Sequence, residues 1–159
     1  MNKKRIGIAA AMAAVLGLGL ILYNQMTPAE YVPAEDEIAL HIQLHTEEDV
    51  GLLVFDYRAD DHEYSGGMSN ADRSLIGRDS DNIVVWNKET LGSSSDAVAL
   101  SIQFRIITEY VDPNYENIYP EDITQYIDPI SWNARFGESY FVTVTGNKAD
   151  GYQAVLKGD

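Results

Sequence analysis

The chain is 159 residues long, contains no cysteine, and carries a formal net charge of −14 at pH 7. Without cysteine it forms no disulfide and no lipoprotein attachment, so an apolar core must hold the fold. All 25 acidic residues but only 8 of the 11 basic residues follow position 29, which gives that part of the chain a formal charge of −17. Such a charge excludes nucleic acid and anionic lipid headgroups as electrostatic partners.

The N-terminal segment has the charge pattern of a membrane-inserting sequence. Lys3, Lys4 and Arg5 precede 18 uncharged residues, Ile6–Tyr23, and the next basic residue is Arg58. Positive charge on one side of an apolar helix keeps that side in the cytoplasm, so the rest of the chain is expected outside it. As a helix the uncharged run would reach about 27 Å, close to the roughly 30 Å hydrocarbon core of a bilayer.

Two interpretations of residues 1–25 remain open. The length of the apolar run favours a single-pass membrane anchor, whereas small residues downstream also allow a signal peptide cleaved near Ala29 or Ala34, which would release a secreted domain. Residues 26–36 contain two prolines and three acidic residues, the composition of an extended linker. The remaining residues, 37–159, are numerous enough for one domain with its own core.

Beyond the linker, apolar and polar residues alternate in short segments, which is the pattern of β-strands. In the first segment Ile38, Leu40, Ile42 and Leu44 are expected to face the core, and in the longest segment every second residue from Val98 to Ile106. A helical turn is expected to begin at Pro120, because proline favours the first turn of a helix. The predicted strands are 38–45, 50–58, 63–68, 82–88, 97–110, 130–136, 139–145 and 152–157.

Seven or eight strands with turn residues between them, and no long amphipathic helix, predict an all-β domain. The expected architecture is an antiparallel β-sandwich with an immunoglobulin-like topology. The alternation does not determine the order of the strands in the sheets.

Two groups of residues are candidates for metal binding. His41 and His45 lie on one predicted strand about 13 Å apart, too far to share a zinc ion, and are expected to point outward. Asp112, Asn114 and Glu116 have the spacing of calcium ligands, but the glycine and glutamate that complete an EF-hand loop are absent from the following positions. The sequence therefore allows only an irregular calcium site in this acidic loop.

Four tyrosines, at positions 110, 115, 119 and 126, lie in and beside an irregular, acidic segment. Tyr110, Tyr115, Tyr119 and Tyr126 are interspersed with amide and carboxylate side chains, a composition suited to stacking on sugar rings or to a protein interface. They would equally serve to cover one end of the sandwich. The segment is therefore expected to bind a sugar, to bind a protein, or to cover one end of the sandwich.

The sequence contains no complete catalytic motif. The segment around Ser69 loosely resembles a nucleophile elbow, but all three histidines precede that serine, whereas a hydrolase of this type places its histidine downstream. The sequence therefore predicts a non-enzymatic envelope domain, membrane-tethered or secreted, that binds an envelope or extracellular protein. The alternative is a carbohydrate-binding module using the Tyr110–Tyr126 segment, with calcium as its only candidate cofactor, and a hydrolase is the third hypothesis.

Overall fold

The structure is a computed structural model, and it describes residues 31–109 and 120–157. All of them except Tyr31 belong to one compact unit, which begins at Val32. These residues form nine strands and one short 3-10 turn, Glu121–Ile123. The strands are β1 (Glu37–Thr46), β2 (Leu52–Ala59), β3 (His62–Met68), β4 (Asp81–Asn87), β5 (Ala97–Ile107), β6 (Thr124–Tyr126), β7 (Ile130–Arg135), β8 (Ser139–Asn147) and β9 (Gly151–Leu156).

The strands form two sheets. One has the order β4-β1-β8-β9, and the other has the order β3-β2-β5, with both β6 and β7 paired to the far edge of β5. Neighbouring strands are antiparallel except β1 and β8, which run parallel with Ala39 opposite Ser139. This arrangement confirms the predicted all-β fold and its sandwich character.

The strand order differs from the immunoglobulin-like order expected from the sequence. In an immunoglobulin constant-type domain the first strand lies at a sheet edge, whereas here β1 lies between β4 and β8. Alternation along a strand indicates which side chains share a face but carries no information on strand order, so the central position of β1 could not be read from its residues. In this position Ala39 and His41, on the outer side of β1, are as buried as Ile38 and Leu40 on its inner side.

The core lies between the sheets and is built by the alternating residues of β1, β2 and β5. The inward positions predicted for β1 and β5 are all buried; Phe104 and Ile106 are 0% exposed. On β3, Gly66 lies over the ring of Phe55, and a Cβ at this position would be 2.6 Å from the ring atom Cε2. Packing at this point therefore requires glycine.

A partly buried hydrogen bond joins two loops at one end of the domain. The phenol of Tyr152 donates to Glu48 Oε1, which also accepts the backbone N–H of Lys148 at 2.7 Å. Burial raises the pKa of the Tyr152 phenol, and the hydrogen bond that this phenol donates to Glu48 raises the pKa further. The β1–β2 loop is thereby held against the β8–β9 hairpin.

The predicted anchor, residues 1–25, lies outside the described residues. In the part of the chain that is described, no helix has the length and apolarity needed to cross a membrane.

Candidate functional site

The outer face of the five-stranded sheet carries a polar groove. Its volume is about 640 Å³, and it lies over β3, β2 and β5. Its lining comprises Asp56, Tyr57, Arg58, Glu63, Tyr64, Ser65, Ser101, Gln103 and Pro129.

Strand register brings the polar side chains of the groove together. Asp56 lies opposite Gln103 of β5 and opposite Ser65 of β3. One step along the same face, Arg58 lies opposite Ser101 and Glu63. Because side chains alternate between the faces of a strand, the intervening Tyr57 points into the core, where burial raises the pKa of its phenol and keeps it neutral beneath the groove.

Hydrogen bonds and an ion pair fix the groove floor. Asp56 Oδ1 accepts the hydroxyl of Ser65 at 2.7 Å, and Asp56 Oδ2 lies 3.0 Å from Arg105 Nη2. The Arg105 guanidinium also lies over the ring of Tyr126, 5.9 Å from its centroid. Gln103 Nε2 donates to the carbonyl of Ile127 at 3.2 Å. These contacts fix the positions of the polar side chains on the groove floor.

A second, smaller hollow of about 270 Å³ continues the groove toward β7 and shares Arg58 and Ser101 with it. Ser131 donates to Ser101 Oγ at 2.9 Å across the β5–β7 pair. Asp60 and Asn133 complete the polar lining of this hollow. Polar groups therefore extend across four strands, β3, β2, β5 and β7.

Arg58 stands out among the groove residues. Its side chain is exposed, and no carboxylate within residues 31–109 and 120–157 forms an ion pair with it. Arg58 and Arg105 together match the formal charge of Asp56 and Glu63. The charges in and beside the larger groove therefore cancel, whereas Asp60 gives the smaller hollow an additional carboxylate.

Of the site residues predicted from sequence, only Tyr126 is described. It belongs to β6, is 64% exposed, and lies beside the groove through its contact with Arg105. The other predicted residues lie outside the described residues: Tyr110, Tyr115, Tyr119, Asp112, Asn114 and Glu116. Sequence reasoning missed the groove, although the alternation from Val98 to Ile106 leaves Ser101, Gln103 and Arg105 on the outward face of β5.

His41 and His45 are both on the outer side of β1, as expected from the sequence, but solvent does not reach His41. Its side chain stacks on Phe141 with a ring-centroid distance of 4.5 Å and is 2% exposed, whereas His45 is exposed. The cause is the central position of β1, where side chains of both neighbouring strands cover the imidazole. Among the described residues, no group of three or more His, Cys, Asp or Glu side chains could hold a metal ion.

No family model matches the chain, and no curated protein sequence matches it. Among solved structures, it is similar to the membrane-binding domain of pneumolysin, with 11% identity, 77% of this chain and 97% of that chain covered, and a TM-score of 0.39. It is also similar to a non-hemolytic pneumolysin from Streptococcus pneumoniae strain ST306, with 11% identity, 77% and 24% coverage, and a TM-score of 0.40. Listeriolysin O matches with 6% identity, 77% and 22% coverage, and a TM-score of 0.39. The chain spans about a quarter of the whole toxins, and similarity at this level assigns neither family nor function.

Proposed function

We propose that the chain is a non-enzymatic binding domain displayed outside the cytoplasm, and that the polar groove is its recognition surface. Residues 1–25 would tether it to the membrane or, if cleaved, release it as a secreted protein. The observation that carries the proposal is the groove of about 640 Å³ with a hydrogen-bonded polar floor on the outer face of the five-stranded sheet. Its ligand would be a component of the cell envelope.

The contacts of Asp56 support binding over catalysis. A carboxylate that acts as a general base must be within hydrogen-bonding reach of a substrate proton. Asp56 Oδ1 instead accepts hydrogen bonds from Ser65 Oγ and Arg105 Nη2, and Asp56 Oδ2 forms an ion pair with the same guanidinium at 3.0 Å. This carboxylate is therefore held as part of a fixed surface, which suits recognition.

A groove-blocking substitution tests the proposal. Ser101 lies on the floor shared by both hollows, so Ser101→Trp places an indole across both. The matched control is Gln153→Trp, an exposed position on β9 of the other sheet. Purified residues 30–159, their strand content checked by circular dichroism, are sedimented with envelope fragments of the source organism. We expect the wild type and the control to sediment and Ser101→Trp to stay in solution.

Equal sedimentation of all three proteins would show that the groove is not the recognition surface. The Tyr110–Tyr126 segment is then the next surface to test, through a Tyr115→Ala/Tyr119→Ala double variant with and without calcium. Loss of sedimentation in that double variant, with an unchanged melting temperature, would assign recognition to the tyrosines. A calcium requirement would point to the predicted ligands Asp112, Asn114 and Glu116.

A further inference from the structure

We propose that the polar groove binds a neutral polysaccharide chain, which lies across the strands with its hydroxyl groups on the groove floor. This assignment rests on the groove being the recognition surface, and it names the ligand class. Four features carry it: the charge balance of the groove, its hydrogen-bonding groups, its lack of apolar anchors, and its length.

The charge balance of the groove favours a ligand without net charge. Asp56 and Glu63 are offset by Arg58 on the same face and by Arg105, which pairs with Asp56 at 3.0 Å. Charge complementarity governs which partners a surface accepts, and like-charge contacts disfavour wrong partners. Along the whole strip an acidic polymer would meet three carboxylates, Asp56, Asp60 and Glu63, and a basic one would meet Arg58 and Arg105.

The hydrogen-bonding groups of the groove match hydroxyl groups, which each offer one donor and two acceptor positions. Glu63 provides acceptors and Arg58 provides donors. Gln103 provides both kinds of group, and its Nε2 is already oriented by the carbonyl of Ile127 at 3.2 Å. Because several of the side chains are fixed before binding, less conformational freedom is lost when the ligand binds.

The absence of an apolar anchor on the groove floor disfavours a protein partner. Protein interfaces concentrate binding energy in buried aromatic or arginine anchors surrounded by apolar contacts. Here the two aromatic side chains of the lining, Tyr57 and Tyr64, stack on each other with a ring-centroid distance of 5.0 Å and pack against the core. Tyr57 is 9% exposed and Tyr64 is half-buried, whereas Arg58 is exposed, so the floor that faces solvent is mainly polar. The exposed ring, Tyr126, lies at the side, where its face is available for stacking against the C–H groups of a sugar ring.

The length of the polar strip favours a polymer over a monosaccharide. The groove and the smaller hollow share Arg58 and Ser101 and together extend from β3 to β7. Strands in a sheet are about 4.8 Å apart, so three strand spacings correspond to about 14 Å. A ligand that contacts Glu63 at one end and Asn133 at the other must therefore be an extended chain.

Affinity electrophoresis of the full chain tests this assignment. The chain is purified in a detergent without a sugar headgroup, and native gels contain laminarin, galactomannan, hydroxyethyl cellulose or dextran as neutral polymers, with alginate as the acidic one. We expect retardation by at least one neutral polymer and none by alginate. Ser101→Trp should abolish retardation, and Gln103→Ala and Tyr126→Ala should each weaken binding about 3- to 10-fold. Gln153→Trp and Gln153→Ala should behave as the wild type.

Each other outcome overturns the proposal in a distinct way. If no neutral polymer retards the chain, but Ser101→Trp still abolishes envelope sedimentation, the proposed ligand class is wrong and the groove is still the recognition surface. Loss of that sedimentation after protease treatment of the envelope fragments would identify a protein partner. If Ser101→Trp is retarded like the wild type, the groove is not the site. Should Ser101→Trp fail to fold, the Gln103→Ala and Tyr126→Ala variants decide the question.

Discussion

The two adjacent glycines of β3 provide a matched test of the core packing. A Cβ on Gly66 would lie 2.6 Å from Phe55 Cε2 and 2.7 Å from Phe55 Cζ, whereas carbon atoms normally pack about 3.5–4.0 Å apart. The Phe55 ring, itself 4% exposed, would have to move by about 1 Å. Overpacking of this kind costs about 1–3 kcal/mol. We expect Gly66→Ala to lower the free energy of unfolding by about 1–2 kcal/mol, after a partial offset from the reduced entropy of the unfolded chain.

The control is Gly67→Ala, whose nearest contact, the Leu53 carbonyl oxygen, would be 3.6 Å from the added Cβ. This variant should be neutral or stabilised by up to about 1 kcal/mol. Urea unfolding followed by circular dichroism measures both variants, and the difference should also appear as a melting-temperature gap of about 3–5 °C per kcal/mol. Phe55→Leu should cost less in the Gly66→Ala background than in the wild type, because the smaller side chain relieves the overlap. Equal stability of the two alanine variants would refute the packing argument.

Three further predictions concern the core, the loop contact and the location of the domain. Leu100→Asp places a charge at a position that is 3% exposed. A buried unpaired charge costs at least several kcal/mol, whereas the whole free energy of unfolding of a domain is about 5–15 kcal/mol. Circular dichroism should therefore show loss of strand structure, and a native spectrum would contradict the core assignment. The pKa of Tyr152 is raised in the folded protein, so folding stabilises its neutral form. The contribution of this phenol to the free energy of unfolding is complete below about pH 10, which is its pKa in the unfolded chain. The contribution is lost as the pH rises further. Tyr152→Phe should therefore lower the urea midpoint at pH 8 and flatten its decline above pH 10, whereas an equally steep decline would exclude this linkage. Protease added to intact spheroplasts should digest the domain, and full protection would place it in the cytoplasm.

Much of the local structure was predictable from the sequence because the alternation of apolar and polar residues along a strand indicates which side chains are buried. The inward series of β5 is buried as expected, and the 3-10 turn follows Pro120, where the fixed φ of proline and the acidic residues after it favour a helical start. β6 was missed because three residues are too few to show a period. Its pairing with Arg105–Ile107 depends on the neighbouring strand and not on its own residues.

The candidate site was less predictable because it is a product of register between strands. Asp56 and Ser65 are close in sequence, but Gln103 and Ser131 reach the same face only through the pairing of β2, β5 and β7. Alternation shows which residues point outward from a strand, whereas strand order decides which outward residues become neighbours. The burial of His41 has the same origin, because it results from the strands on either side.

The parallel pairing of β1 with β8 has a consequence for how the chain folds. Ala39 and Ser139 pair although 100 positions separate them, so during synthesis one edge of β1 has no native partner until nearly the whole domain has been made. Long-range pairings of this kind place β-rich domains among the slow folders, with times of roughly milliseconds to seconds. An apolar strand with an open edge is a template for aggregation during that interval. It also keeps the nascent chain from folding early, and the proposed location outside the cytoplasm would require a chain that is still unfolded when it crosses the membrane.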